Sequence, residues 1–182
     1  MLEKFNYEHN CTVGLKDNET VNGQGLGEVA KMKYGFFNMS YNGCEMIAIH
    51  NSMVLLGRGS SLKEVCREMY PKCQALHGLF GSNPVALGSY YRSRKIPYRK
   101  TYGYDDFFDS LPDCKVAVLS FWNPPTKPWN GIHTVTVQYV DGRIRIYNRT
   151  NRTDHPMEYE NRYDVMPNKT NFICGYLIEE RR

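Results

Sequence analysis

Ile132-His133-Thr134-Val135-Thr136-Val137-Gln138-Tyr139-Val140, then Asp141-Gly142, then Arg143-Ile144-Arg145-Ile146-Tyr147, is a pair of alternating runs joined by the dipeptide typical of a two-residue hairpin. With that turn Val140 faces Arg143, and the register of the whole pair follows. His133 then lies opposite Thr150, and Asn148 is its diagonal neighbour on the same face. Val135, Val137, Tyr139, Ile144 and Ile146 share this face, while Thr134, Thr136, Gln138, Arg143, Arg145 and Arg149 point the other way. The apolar face is expected to be the buried one. An imidazole and a carboxamide therefore come side by side at the edge of a core, an arrangement in which the amide fixes the tautomer that a general base requires.

Outward from the hairpin, residues 115–122 (KVAVLSFW) and 172–178 (FICGYLI) read as further strands. Upstream the period is helical. Ile47, Ile49, Met53, Val54 and Leu56 define a buried helix opening at or just before Cys44 and stopped by Gly57. Ser61-Leu62-Lys63-Glu64 is a capping box for a second helix ending near Pro71. A third starts after Asn83 with Pro84 in its first turn and runs to about Arg94, and 105–111 is a short fourth. Residues 1–35 show no sustained period and read as a loosely structured arm or short strands; Gly23, Gly25 and Gly27 lack the spacing of a phosphate loop. Helices first and an antiparallel sheet afterwards predict one α+β domain over 1–182, with an arm (1–35), a mainly helical part (36–111) and a mainly sheet part (112–182).

At 182 residues the chain is long enough to bury a core without metal or disulfides. The net charge of +4 is thinly spread apart from Arg92, Arg94, Lys95, Arg99 and Lys100, so nucleic acid is not an expected partner. No run suits a membrane span. The start MLEKFNYEHN lacks the apolar core of a signal peptide, so the expected location is cytoplasmic and the six cysteines are expected to be reduced. Cys66 and Cys174 sit on apolar stripes and read as core filling; Cys11, Cys73 and Cys114 are less defined. Cys66, Cys73 and His77 lack the paired spacing of a zinc site, and no metal or cofactor is expected.

Cys44 differs from the other five. It follows Asn42-Gly43 at a helix start, where the dipole and free N–H groups lower a thiol's pKa and its own N–H can join an oxyanion hole. Asn38, six residues earlier, is the candidate second oxyanion donor. The order Cys44, His133, Asn148 is that of a papain-type triad.

Gly43-Cys44-Glu45-Met46-Ile47-Ala48-Ile49-His50-Asn51-Ser52-Met53 resembles the G-C-E-x-x-[AS]-x-x-[MN] helix of bacterial papain-like cysteine peptidases related to the bacteriocin-processing, double-glycine leader peptidases. Gly131 to Val137 is similar to their G-H-[FW]-V-x-V strand, with one residue inserted between Gly and His. The chain departs from that pattern in having Asn38 where the family usually has Gln, and Asn148 where many members have Asp.

The resemblance implies a papain-like fold and a thiol hydrolase acting on a peptide or protein substrate, such as a glycine-rich leader or linker. Cys44 would be the nucleophile, His133 the base, Asn148 its orienting partner and Asn38 the oxyanion donor. Trp122 and Trp129, in and beside the Pro-stiffened loop before His133, are candidate walls of a substrate groove. A non-catalytic peptide-binding module of the same fold and a thiol acyltransferase with the same triad are the alternatives.

Overall fold

The computed structural model describes residues 1–74, 82–123 and 131–180. Helices α1 (Leu2–Cys11), α2 (Met39–Asn42), α3 (Cys44–Leu55), α4 (Leu62–Cys73), α5 (Gly88–Ser93), α6 (Tyr104–Ser110) and α7 (Arg162–Val165) accompany two antiparallel sheets. The smaller is the pair β1 (Lys33–Tyr34) and β2 (Phe37–Asn38). The larger has six strands in the order β3 (Tyr98–Thr101), β8 (Phe172–Glu180), β4 (Cys114–Trp122), β5 (Ile132–Val140), β6 (Arg143–Tyr147), β7 (Met157–Tyr159). The chain is thus an α+β protein with helices packed on an antiparallel sheet.

The hairpin register is the expected one, with Val140 opposite Arg143 and Thr136 opposite Tyr147. There the ladder stops. Asn148 takes φ +57°, a left-handed conformation that Asn tolerates better than most residues, and the chain leaves the strand before Thr150 can face His133.

The expectation of one buried and one open sheet face does not hold. Val116, Val118, Cys174, Tyr176 and Ile178 pack against α3 and α4 on one side. Leu119, Phe121, Val135, Val137, Ile144 and Ile146 pack with Phe107 and Phe108 of α6 on the other. Thr134 and Thr136 are consequently fully buried under α3, and they are satisfied: Thr136 Oγ1 donates to Ala48 O at 3.0 Å and Thr134 shares a bond with Ser120. A helix lying over a strand's threonines leaves no mark in the alternation of that strand.

The N-terminal arm is also more ordered than its composition suggests, since its first part is α1. Asn6 and Asn10 are buried there and bond the carbonyls of Gly35 and Lys33, with Lys33 N–H returning to Asn10 Oδ1. Amides rather than an apolar stripe dock this helix, which is why no hydrophobic period marks it. Helix α4 begins after Ser61 as expected but carries Pro71 inside its last turn and reaches Cys73, and the Ser61 hydroxyl makes no cap bond. The expected third helix is split into a 3-10 turn at Pro84–Ala86, capped by Asn83, and α5. Cys66 and Cys174 lie in the core as expected, and Cys73 and Cys114 are buried too. None of the six cysteines is disulfide-bonded.

Candidate functional site

Cys44 is the first residue of α3, placed there by Gly43. A Cβ on Gly43 would come within 2.6 Å of Met39 O and overlap the Met39 side chain, so only glycine fits where α2 ends and α3 begins.

The sulfur meets β5 at a free edge. Asn123 N–H bonds Gly131 O, so the antiparallel alternation turns the Ile132 carbonyl and the Thr134 amide away from β4. On that side β6 has already ended, and the Cys44 thiol fills the space, with Sγ 3.9 Å from Ile132 O. It also lies 3.1 Å from Glu45 Oε2, so one S–H is offered two acceptors. The thiol thus contacts the main chain next to His133.

The His133 ring is buried on the α6 side of the sheet, edge-on to Phe121 with centroids 5.7 Å apart. Its Nε2 lies 2.8 Å from the main-chain oxygen of Asn148. A carbonyl only accepts, so Nε2 carries the hydrogen and the lone pair is on Nδ1, the tautomer of a base ready to take a proton. The positive φ of Asn148 is what presents that oxygen. Asn148 is therefore beside His133 as expected, but its carboxamide does not perform the orienting. The side chain faces Gln24 instead: Oδ1 accepts Gln24 N–H at 3.1 Å and Nδ2 donates to Gln24 Oε1 at 2.9 Å.

Electrostatics reverse one expectation. Burial, and then the adjacent Glu45 carboxylate, raise the Cys44 thiol well above its ordinary value, outweighing the amides of Thr134 and Glu45 that favour the thiolate. Burial also pushes the His133 imidazole down to about 4 and the Glu45 carboxyl up to about 7. The helix-start effect on the thiol loses because Cys44 is only 5% exposed. At neutral pH the pair rests as thiol and neutral imidazole, not as an ion pair. Nε2 of the ring donates to Asn148 O, with the Arg149 main chain also favouring the charged ring, and the thiol donates toward Glu45 and Ile132 while the Thr134 amide faces the sulfur.

Asn38 is not brought to the site as an oxyanion donor. It is exposed on β2, and its Oδ1 accepts from Lys33 Nζ at 2.7 Å. Trp122 is half-buried at the end of β4, opposite Ile132, while Trp129 and His77 lie outside the described residues. Cys66 and Cys73 lie in the core beside Tyr34, whose hydroxyl is 3.4 Å from Cys73 Sγ, and no metal-binding cluster occurs among the described residues. At this site the parts played by two buried polar residues, Glu45 and Gln24, had no local signal. Glu45 stood within an apolar helix, and Gln24 within a glycine-rich arm, between Gly23 and Gly25.

No protein-family model matches this chain, and no curated protein matches it. Among the described residues no helix is long and apolar enough to cross a membrane.

Proposed function

We propose that the protein is a papain-like thiol hydrolase that cleaves a peptide substrate through Cys44 and His133. The observation that carries this reading is the seating of the Cys44 sulfur, from the first turn of α3, on the open edge of β5 at Ile132 O, one residue before a His133 whose Nε2–H is already donated to Asn148 O. That tautomer leaves Nδ1 as the proton acceptor. His133 takes the thiol proton as the sulfur attacks the scissile carbonyl carbon, rather than holding a preformed ion pair. N–H groups at the start of α3 stabilise the oxyanion. The imidazolium then protonates the leaving amine, and water releases the acyl group from sulfur. A glycine-rich leader or linker is the substrate class that the sequence resemblance favours, and a cytoplasmic setting suits six cysteines that form no disulfide.

A second reading, a peptide-binding module of the same architecture without turnover, is favoured by the raised thiol and by its bond to Glu45. A peptidyl chloromethyl ketone separates the two, because the exposed Cys11 is an internal reference. In an enzyme Cys44 forms the thioether faster than Cys11 at pH 7 and His133→Ala abolishes the difference. Equal or slower modification of Cys44 in the wild-type chain overturns the hydrolase reading.

A further inference from the structure

We propose that Gln24 is a positioning residue that holds the His133 side of the site against the Cys44 side; as a statement about catalysis this rests on the thiol-hydrolase reading, and as a statement about the imidazole it does not. Gln24 is 3% exposed and Asn148 1%, and the two form a reciprocal pair through Asn148 Oδ1 and Nδ2. Asn148 N–H is also taken, by Asn22 Oδ1 at 2.8 Å, so the main chain of Asn148 is gripped from the arm while its carbonyl grips His133.

The other end of Gln24 reaches the nucleophile's side. Its Nε2 donates to Ser40 O at 3.0 Å, in α2, which leads through Gly43 into Cys44. Asn151 Nδ2 donates to the same oxygen, and Gly25 N–H bonds Asn151 O at 3.2 Å. The amide orientations support one another. Ser40 O can only accept, which assigns Nε2, and Gln24 N–H can only donate, which assigns Asn148 Oδ1. A continuous path therefore runs from the His133 ring through the buried Asn148 and Gln24 to the half-buried Ser40 in the turn before Cys44.

The glycines on either side explain why the path is possible. A Cβ on Gly25 would lie 2.8 Å from Asn151 O, and Gly23, at φ +64°, would bring one to 2.9 Å from Thr153 O. The arm is further pinned to α3, because Asn51 bonds both the N–H and the carbonyl of Val21, at 2.7 and 2.8 Å. Replacement at Gln24 thus leaves the arm anchored, with the Gln24 N–H bond to Asn148 and the Asn151 bond to Ser40 O in place, while removing the side chain that joins Asn148 directly to Ser40.

The test is Gln24→Met, which keeps length and apolar volume. Two readouts are taken on folded protein: the tautomer of His133 from its ring nitrogen resonances, and the rate at which a peptidyl chloromethyl ketone modifies Cys44 relative to Cys11. Expected are a loss of the pure Nε2–H form and a fall of about tenfold in the Cys44 rate, the equivalent of one buried hydrogen bond, with Cys11 unchanged. An unchanged tautomer in a folded variant overturns the proposal. Should Gln24→Met not fold, Gln24→Glu is read the same way, since it keeps the acceptor for Asn148 and loses the donor to Ser40. A wild-type chain whose Cys44 is no faster than Cys11 refutes hydrolysis alone; the tautomer still decides the role of Gln24.

Discussion

Asn148 holds His133 by its main-chain oxygen, 2.8 Å from Nε2, while its carboxamide is turned to Gln24. The division of labour has a consequence for mutagenesis. Asn148→Ala keeps the carbonyl but leaves Gln24 N–H and Oε1 unpaired and puts alanine at a positive φ that asparagine tolerates better. A loss of about 2–3 kcal/mol in urea unfolding is expected, with Asn148→Gly milder by about 1 kcal/mol because glycine accepts that φ. Equal costs for the two variants would contradict the role given to the backbone conformation.

Two buried groups titrate in opposite senses. His133, lowered from 6.5 to about 4, contributes stability that is whole above pH 6.5 and is lost as pH falls toward 4. Glu45, raised from 4.5 to about 7, contributes stability that is whole below pH 4.5 and is lost as pH rises toward 7. Between pH 4.5 and 6.5 the slopes oppose. Glu45→Gln should therefore lose up to about 3 kcal/mol relative to wild type on acidification, and His133→Phe should show the reverse slope. Urea midpoints across that range give the answer; parallel profiles in all three proteins would refute it.

Removing the charge beside the thiol should make it more reactive. The Glu45 carboxylate is the second-largest influence raising Cys44, and Gln can still accept the S–H. In Glu45→Gln, iodoacetamide at pH 8 is expected to label Cys44 faster by up to about tenfold, the effect of one pKa unit, against an unchanged Cys11. A slower Cys44 would instead mean that the carboxylate assists proton removal.

Gly43→Ala tests the α2–α3 junction. The new methyl meets Met39 O and the Met39 side chain, so a loss of about 1–3 kcal/mol is expected together with a displaced Cys44. By contrast Cys66→Ala and Cys174→Ala should cost only about 1 kcal/mol each and leave Cys44 labelling untouched, since neither residue contacts the site. Thermal unfolding and mass-resolved alkylation check both statements.

How much of this was legible beforehand varies with the physics involved. Asp141-Gly142 set the hairpin, and the α3 stripe set the helix with Cys44 at its head, because both signals are local and periodic. Asn148 was legible as the neighbour of His133, but its use of the main-chain oxygen instead of the carboxamide was not, because a single residue at positive φ ends the ladder that the alternation continues. Neither was the burial of Thr134 and Thr136, which depends on a helix about 90 residues upstream. Asn38 stood at the right distance from Cys44 in sequence, yet β1 and β2 fold it outward onto Lys33. Gln24 was hidden because its partners lie at Ser40 and Asn148, and no window of sequence holds both.

Because β6 stops at Tyr147, the Cys44 sulfur completes the sheet where a strand would otherwise have continued. The candidate nucleophile is thereby also a piece of secondary structure, and its chemical state is written into its neighbours. An acyl or alkyl group on sulfur consumes the S–H that faces Ile132 and crowds the Thr134 amide, so occupancy of the thiol becomes visible as faster hydrogen exchange at one edge of β5.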